Sequence, residues 1–247
     1  MRRVSALRIA MWSGPRNIST ALMRSFESRM DTVVWDEPFY GAFLSETGIE
    51  HPMREDIIAG MDSDWESVAA KAVGPIPGGK SIYYQKHMTH HLLDSMRRDW
   101  MDGVINCFLI RDPAEVIASY ALKRDSVTLT DIGMVQQAEI FNYVRDRTGE
   151  TPPVLDARDV LTDPGTALNL LCRAVGIDFD DAMLNWPAGP RDSDGVWAKH
   201  WYHSVEASTG FATHTPRETN LTGELQDLAE ACEPHYRALY DLRLTAS

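Results

Sequence analysis

The chain has 247 residues, 44% hydrophobic and 24% charged, which is enough to bury a full core and too apolar for a disordered chain. Its 24 Lys and Arg stand against 36 Asp and Glu, a net charge of −12, so long-range repulsion opposes nucleic acid and anionic membrane as partners but not a small anion held by local arginines. No apolar run approaches the roughly 18 residues of a membrane span. The three scattered cysteines, Cys107, Cys172 and Cys232, fit reduced thiols in a cytoplasmic protein.

Arg2 and Arg3 precede ALRIAMWS (6–13), a run too short for a secretion signal, which predicts a buried first strand. SGPRNIST follows, and Ile18, Ala21, Leu22, Ser25 and Phe26 then share one stripe of a helix over 17–29. TVVWDEP (32–38) predicts a second strand ending in Asp36 and Glu37. The next region is less ordered, with a helix near 63–73 and a turn at GPIPGGK. SIYYQKHM (81–88) reads as a third strand and HHLLDSMRR (90–98) as a helix whose His90–His91 pair lies at its surface. GVINCFLI (103–110) is the clearest buried strand, leading through Arg111 and Asp112 into a helix with Pro113 in its first turn.

A helix over 130–148, a strand in PPVLDARD and a helix in DPGTALNLLCRAVG come next. Residues 186–216 predict a long loop folding over a site, and 221–239 a final amphipathic helix. The alternation implies an α/β fold, a three-layer open parallel sheet with helices on both faces and right-handed crossovers. One domain over 1–247 is the economical reading.

Ligands of such sheets bind beyond the carboxyl ends of the strands. SGPRNIST supplies a helix N-terminus for an anion, a forked cation in Arg16, and hydroxyls on Ser19 and Thr20. It lacks the terminal Gly-Lys-Ser/Thr of a nucleoside triphosphatase loop. IRDPAEVIASY places Arg111 at a strand end and Ser119 two turns into the next helix, both suited to a second phosphate or, for the arginine, to a structural ion pair. Glu37 at a strand mouth is placed to accept a proton from an attacking hydroxyl, a role that strand-end carboxylates share with capping.

Together these segments resemble the sulfotransferase superfamily. PRNISTALM resembles its 5′-phosphosulfate loop, and IRDPAEVIASY its 3′-phosphate motif, with Arg111 and Ser119 at the family's spacing. The resemblance implies 3′-phosphoadenosine-5′-phosphosulfate as donor, no metal, and transfer of a sulfuryl group to a hydroxyl or amine of a small-molecule acceptor. It implies Arg16 as catalytic cation, with Ser19, Thr20 and the amides of Asn17 and Ile18 on the 5′-phosphate. WDEPFYGAF is similar to the tyrosylprotein and trehalose types, which makes Glu37 the first candidate for the base; the aryl and steroid branch points instead to His87 in YYQKHM. Three departures stand out. Ile18 occupies the usual glycine position, Ala21 replaces an adenine-stacking aromatic, and PRDSDGVWAKHW offers only Arg191 and Lys199 where the family has Arg-Lys-Gly. The alternatives are a small-molecule kinase using ATP and a nucleotide-binding module without catalysis.

Overall fold

The structure, a computed structural model, describes residues 6–122, 126–215 and 219–246; Arg2, Arg3 and the last residue of the 186–216 loop lie outside these. Among the described residues five strands form one parallel sheet, β1 (Leu7–Ser13), β2 (Thr32–Asp36), β3 (Ile82–Met88), β4 (Ile105–Ile110) and β5 (Val154–Asp156). Their order is β2-β3-β1-β4-β5, so β1 lies at the centre. Each strand falls within the span expected from its apolar run.

The helices are α1 (Ser19–Glu27), α2 (Tyr40–Thr47), α3 (Arg54–Gly60), α4 (Trp65–Ala72), α5 (Pro113–Ala121), α6 (Leu129–Ile132), α7 (Met134–Thr148), α8 (Ala157–Thr162), α9 (Pro164–Val175), α10 (Ala198–Trp201), α11 (His203–Glu206) and α12 (Glu224–Tyr240). The two-residue period of the strands divides the core. Ala10, Trp12, Phe108, Ile110 and Val154 pack on one face with α4, α5, α7 and α12. Ile9, Met11, Cys107, Leu109 and Leu155 pack on the other with α1 and α9. Strands covered on both sides need apolar residues at every position, which is why their runs are continuous rather than alternating. The expected three-layer sheet is the one observed. All three cysteines are buried and unpaired, and among the described residues no helix is long and apolar enough to cross a membrane.

Three local expectations are corrected. Residues 90–98 form no α-helix: a 3-10 turn at Thr89–His91 gives way to irregular chain. His91, Leu92 and Met96 are all buried there, and packing overrides the helical spacing. His91 therefore lies inside, 3% exposed, not at a helix surface. The helix expected over 130–148 is interrupted at Gly133, leaving α6 as a separate turn. Within 38–62, where the pattern was weakest, the chain forms α2 and α3.

Candidate active site

Parallel register brings three strand ends to one edge. Ser13 pairs with Met88 of β3 and Leu109 of β4, and Asp36 of β2 pairs with Lys86 of β3. The residues that follow these positions line a cleft of about 790 Å³, closed on its far side by residues from 197 to 215.

The loop between β1 and α1 is set by two backbone constraints. Gly14 lies so close to α6 that a Cβ there would sit 2.6 Å from the carbonyl oxygen of Ile132. Arg16 holds a left-handed φ of 53°, a conformation that costs a side chain about 1–3 kcal/mol and concentrates at ligand sites. Asn17 clamps the loop: its Nδ2 donates to Leu109 O at 2.8 Å and its Oδ1 accepts from the Ile18 amide at 3.1 Å. Ile18 has an ordinary φ of −74° and packs on the core beside α1. Its Cβ is therefore unstrained, and the left-handed position belongs to Arg16 instead. α1 has no side-chain cap and no acidic residue in its first turn. By contrast α5, rising from the same edge, has Asp112 accepting from the amides of Ala114 and Glu115. Of these two helix N-termini, α1 is the one whose amides no side chain caps.

Arg16, Arg111 and Ser119 converge. Arg16 Nε donates to Ser119 Oγ at 3.0 Å, and Arg111 Nη1 donates to the Arg16 carbonyl at 2.9 Å. Arg111 also pairs with Glu115 at 2.8 Å, the structural ion pair that was the other reading of this side chain. His214 lies 3.7 Å from Glu115 on the opposite wall. Burial, with Arg111 beside it, lowers Arg16 from the usual guanidinium value. Ser19 and Thr20 line the same cleft.

The acidic end is more buried. Lys86 Nζ donates to Asp36 Oδ1 at 2.8 Å, to Glu37 Oε1 at 2.5 Å and to the Tyr202 hydroxyl at 2.7 Å. Burial opposes its charge, but the Asp36 and Glu37 carboxylates outweigh that and hold the ammonium well above its usual pKa. Successive strand residues point to opposite faces, yet Asp36 and Glu37 both reach Lys86. Glu37 turns back at the strand end with φ 44°, the second left-handed side-chain residue of the site. Burial raises the Glu37 pKa against the pull of Lys86. Its other oxygen faces His91 Nδ1 at 3.8 Å, and His91 is stacked between Tyr40 (4.2 Å) and Phe43 (4.8 Å).

His87 does not face the cleft. One residue beyond Lys86, it points through the other side of the sheet, stacked on Trp12 at 4.4 Å and bonded to Gln85 Oε1 at 3.1 Å. Burial holds its pKa down to about 3. The C-terminal candidates lie outside as well. Arg191 donates to Pro187 O at 2.8 Å, and Lys199 is 70% exposed beside Asp56. Neither lines the cleft, because the chain around them turns its aromatic residues inward instead: Trp197, Trp201 and Tyr202 form that wall. Sequence reasoning missed Lys86, His91, Tyr202 and His214. A lysine inside an apolar strand one residue before a histidine was the available signal for Lys86.

An α/β protein of P-loop-like fold with an uncapped helix N-terminus and two arginines at adjacent strand ends is defined by this geometry. The sulfotransferase domain family matches residues 7–242, and the chain belongs to that family. A similar protein from Arabidopsis thaliana, branched-chain-amino-acid aminotransferase-like protein 1, is 36% identical over 233 residues, or 94% of this chain. The chain spans only 41% of that relative's length. The sulfotransferase from Alicyclobacillus acidocaldarius superposes with a TM-score of 0.55 at 13% identity, covering 97% of both chains. The sulfotransferase domain from the Synechococcus PCC 7002 olefin synthase gives 0.51 at 19% identity, covering 92% of this chain and 94% of that one. At such identities these two likenesses are of fold.

Proposed function

We propose that this sulfotransferase takes its sulfuryl group from 3′-phosphoadenosine-5′-phosphosulfate and passes it to a hydroxyl of a small-molecule acceptor. The observation that carries the reading is the contact of Arg16 with Ser119 and Arg111 in the cleft that also holds Glu37. The donor set fits this group: two guanidiniums, three hydroxyls and an uncapped helix N-terminus suit a ligand with two separate anionic ends. When bound, the donor supplies a sulfuryl group whose transfer forms an S–O bond to the acceptor and breaks the S–O bond to phosphate.

Lys86 has three N–H donors, and Asp36, Glu37 and Tyr202 take all of them. That leaves Arg16 as the cation for charge developing on the leaving phosphate. Glu37, its carboxylate hydrogen-bonded by the Lys86 ammonium, receives the acceptor's proton. Arg111 and Ser119 recognise the 3′-phosphate, with Arg111 exchanging part of its pairing with Glu115. The aromatic wall of Tyr40, His51, Trp197 and Trp201 borders Glu37 and would receive the acceptor.

Thermal shift separates this donor from ATP. Stabilisation by 3′-phosphoadenosine-5′-phosphate, about 2.7 kcal/mol at a hundredfold excess over Kd, with none from ATP and magnesium, is expected; the reverse would make the protein a kinase. Glu37→Gln is expected to cut sulfuryl transfer by ~10²–10⁴ while nucleotide binding is kept. Equal transfer by the two proteins would remove Glu37 as base, and no transfer by wild type across a broad acceptor panel would leave a binding module.

A further inference from the structure

Residues 191–202 are held to the site by buried polar contacts rather than lying over it as a surface loop. Asp194 accepts from Arg24 Nη2 at 2.6 Å, and that arginine is 1% exposed inside α1. The Gly195 amide donates to Asp36 Oδ2 at 3.3 Å. A Cβ at Gly195 would lie 2.1 Å from the Trp197 ring, so the ring folds back over the backbone there. Trp197 Nε1 in turn donates to the Tyr202 hydroxyl at 3.1 Å. That hydroxyl donates to Asp36 Oδ2 at 2.7 Å and accepts from Lys86 at 2.7 Å. One phenol oxygen thus joins this strap to Lys86, which pairs with Glu37, and to Asp36, which shares the same ammonium, and it is buried with them.

Resting on Glu37 as the base, we propose that Tyr202 is a positioning residue: it fixes how the Lys86 ammonium is shared between Asp36 and Glu37, and so couples the 191–202 strap to the basicity of Glu37. The physical reason is competition for one cation. With its hydroxyl present, Asp36 has a neutral donor as well as Lys86. Without it, Asp36 keeps only the longer Gly195 contact, draws the ammonium toward itself, and leaves Glu37 less compensated. The groups facing Glu37 are Asp36 from β2, Lys86 from β3, His91 from the turn after β3 and Tyr202 from the strap, with Arg16 across the same cleft. Burial keeps His91 well below its usual pKa, so it stays neutral through the range of interest. With the strap seated Glu37 stays ionised to lower pH, which ties its availability to accept a proton to a closed acceptor wall.

Tyr202→Phe removes the hydroxyl and keeps the ring. In protein labelled with carboxyl-13C glutamate, the Glu37 resonance, assigned by its loss in Glu37→Gln, gives a titration midpoint without any turnover. The midpoint is expected to rise by about one pH unit in Tyr202→Phe, and the acid limb of the kcat/KM profile to rise with it. A cooperatively melting Tyr202→Phe with an unchanged midpoint overturns the coupling. A midpoint that moves while the acid limb stays keeps the coupling and sinks Glu37 as the base. If Tyr202→Phe does not melt cooperatively, Trp197→Phe, which removes the indole donor to the same hydroxyl, carries the expectation of a smaller rise, and no rise there overturns it.

Discussion

Arg16 and Lys86 are both cations at the mouth of one sheet, and their hydrogen bonds divide their work. Lys86 is saturated by Asp36, Glu37 and Tyr202, so it acts as a fixed counter-charge. Arg16 meets the protein through Ser119 at Nε, with the guanidinium lining the cleft. Ser119 steadies Arg16, and under the proposed function it also offers its hydroxyl to the 3′-phosphate. Ser119→Ala is expected to weaken binding of 3′-phosphoadenosine-5′-phosphate by about 10- to 100-fold, the value of one hydrogen bond to a charged group. Calorimetry with adenosine 5′-phosphosulfate, which lacks the 3′-phosphate, should show a much smaller loss. Comparable losses with both ligands would assign Ser119 to Arg16 alone. Arg111 and Ser119 were legible from their spacing, and Glu37 from its place at a strand end. Lys86 was not, because a lysine between Gln85 and His87 becomes informative only once the β2–β3 register sets it opposite Asp36.

At the scale of the element, the strand–loop–helix unit of β1 and α1 depends on a neighbour remote in sequence. Gly14 is needed because the Ile132 carbonyl of α6 occupies the space a side chain would fill. Gly14→Ala forces the loop or α6 to move, and overpacking of that kind costs about 1–3 kcal/mol. Scanning calorimetry should register about 2–4 °C of lowered Tm per kcal/mol for a chain of this size, with weaker nucleotide binding because the shift is transmitted to Arg16. A variant with wild-type Tm and affinity would show that the contact relaxes freely. The family's loop glycine is Ile18 here, so either the loop tolerates a Cβ at that position or its backbone path differs. The left-handed residue is Arg16, and Ile18, at an ordinary φ, packs partly buried against the core at the edge of the cleft. The helix expected at 90–98 failed for a related reason: burial of His91 beside Glu37 is a demand of the tertiary site that local spacing does not encode.

For the whole molecule, the buried imidazoles set the acid limit of stability. His87 is fully buried and its pKa is held to about 3 by that burial. In the unfolded chain it titrates near the ordinary value of about 6.5. Between those values the unfolded state binds a proton that the folded state refuses, so stability falls as pH drops. From pH 7 to pH 5 this one group costs about 2 kcal/mol, and His91, shifted in the same direction, adds to it. Urea unfolding at pH 7 and pH 5 measures the loss, and His87→Phe, which keeps a ring on Trp12, should flatten it. An equal slope in the variant would place the acid sensitivity elsewhere.

The alternation of strands and helices, the two motifs on the loops after β1 and β4, and the acidic strand end were all within reach of the sequence. Continuous apolar runs, a proline-started helix and an arginine–serine spacing are local signals, and each reflects a requirement met within one or two turns of chain. The side chains that complete the site answer to partners far away: Lys86 to Asp36, Tyr202 to both, Gly14 to Ile132, Gly195 to the ring of Trp197. Their roles depend on which strand lies beside which and on the face each residue takes, and a one-residue step separates Lys86 in the cleft from His87 in the core. Local periodicity determined the sheet and the strand–loop–helix unit at its edge. Only the packed structure decided which cation pairs with Asp36 and Glu37, which histidine is excluded from the cleft, and that residues 191–202 brace Asp36 and Lys86.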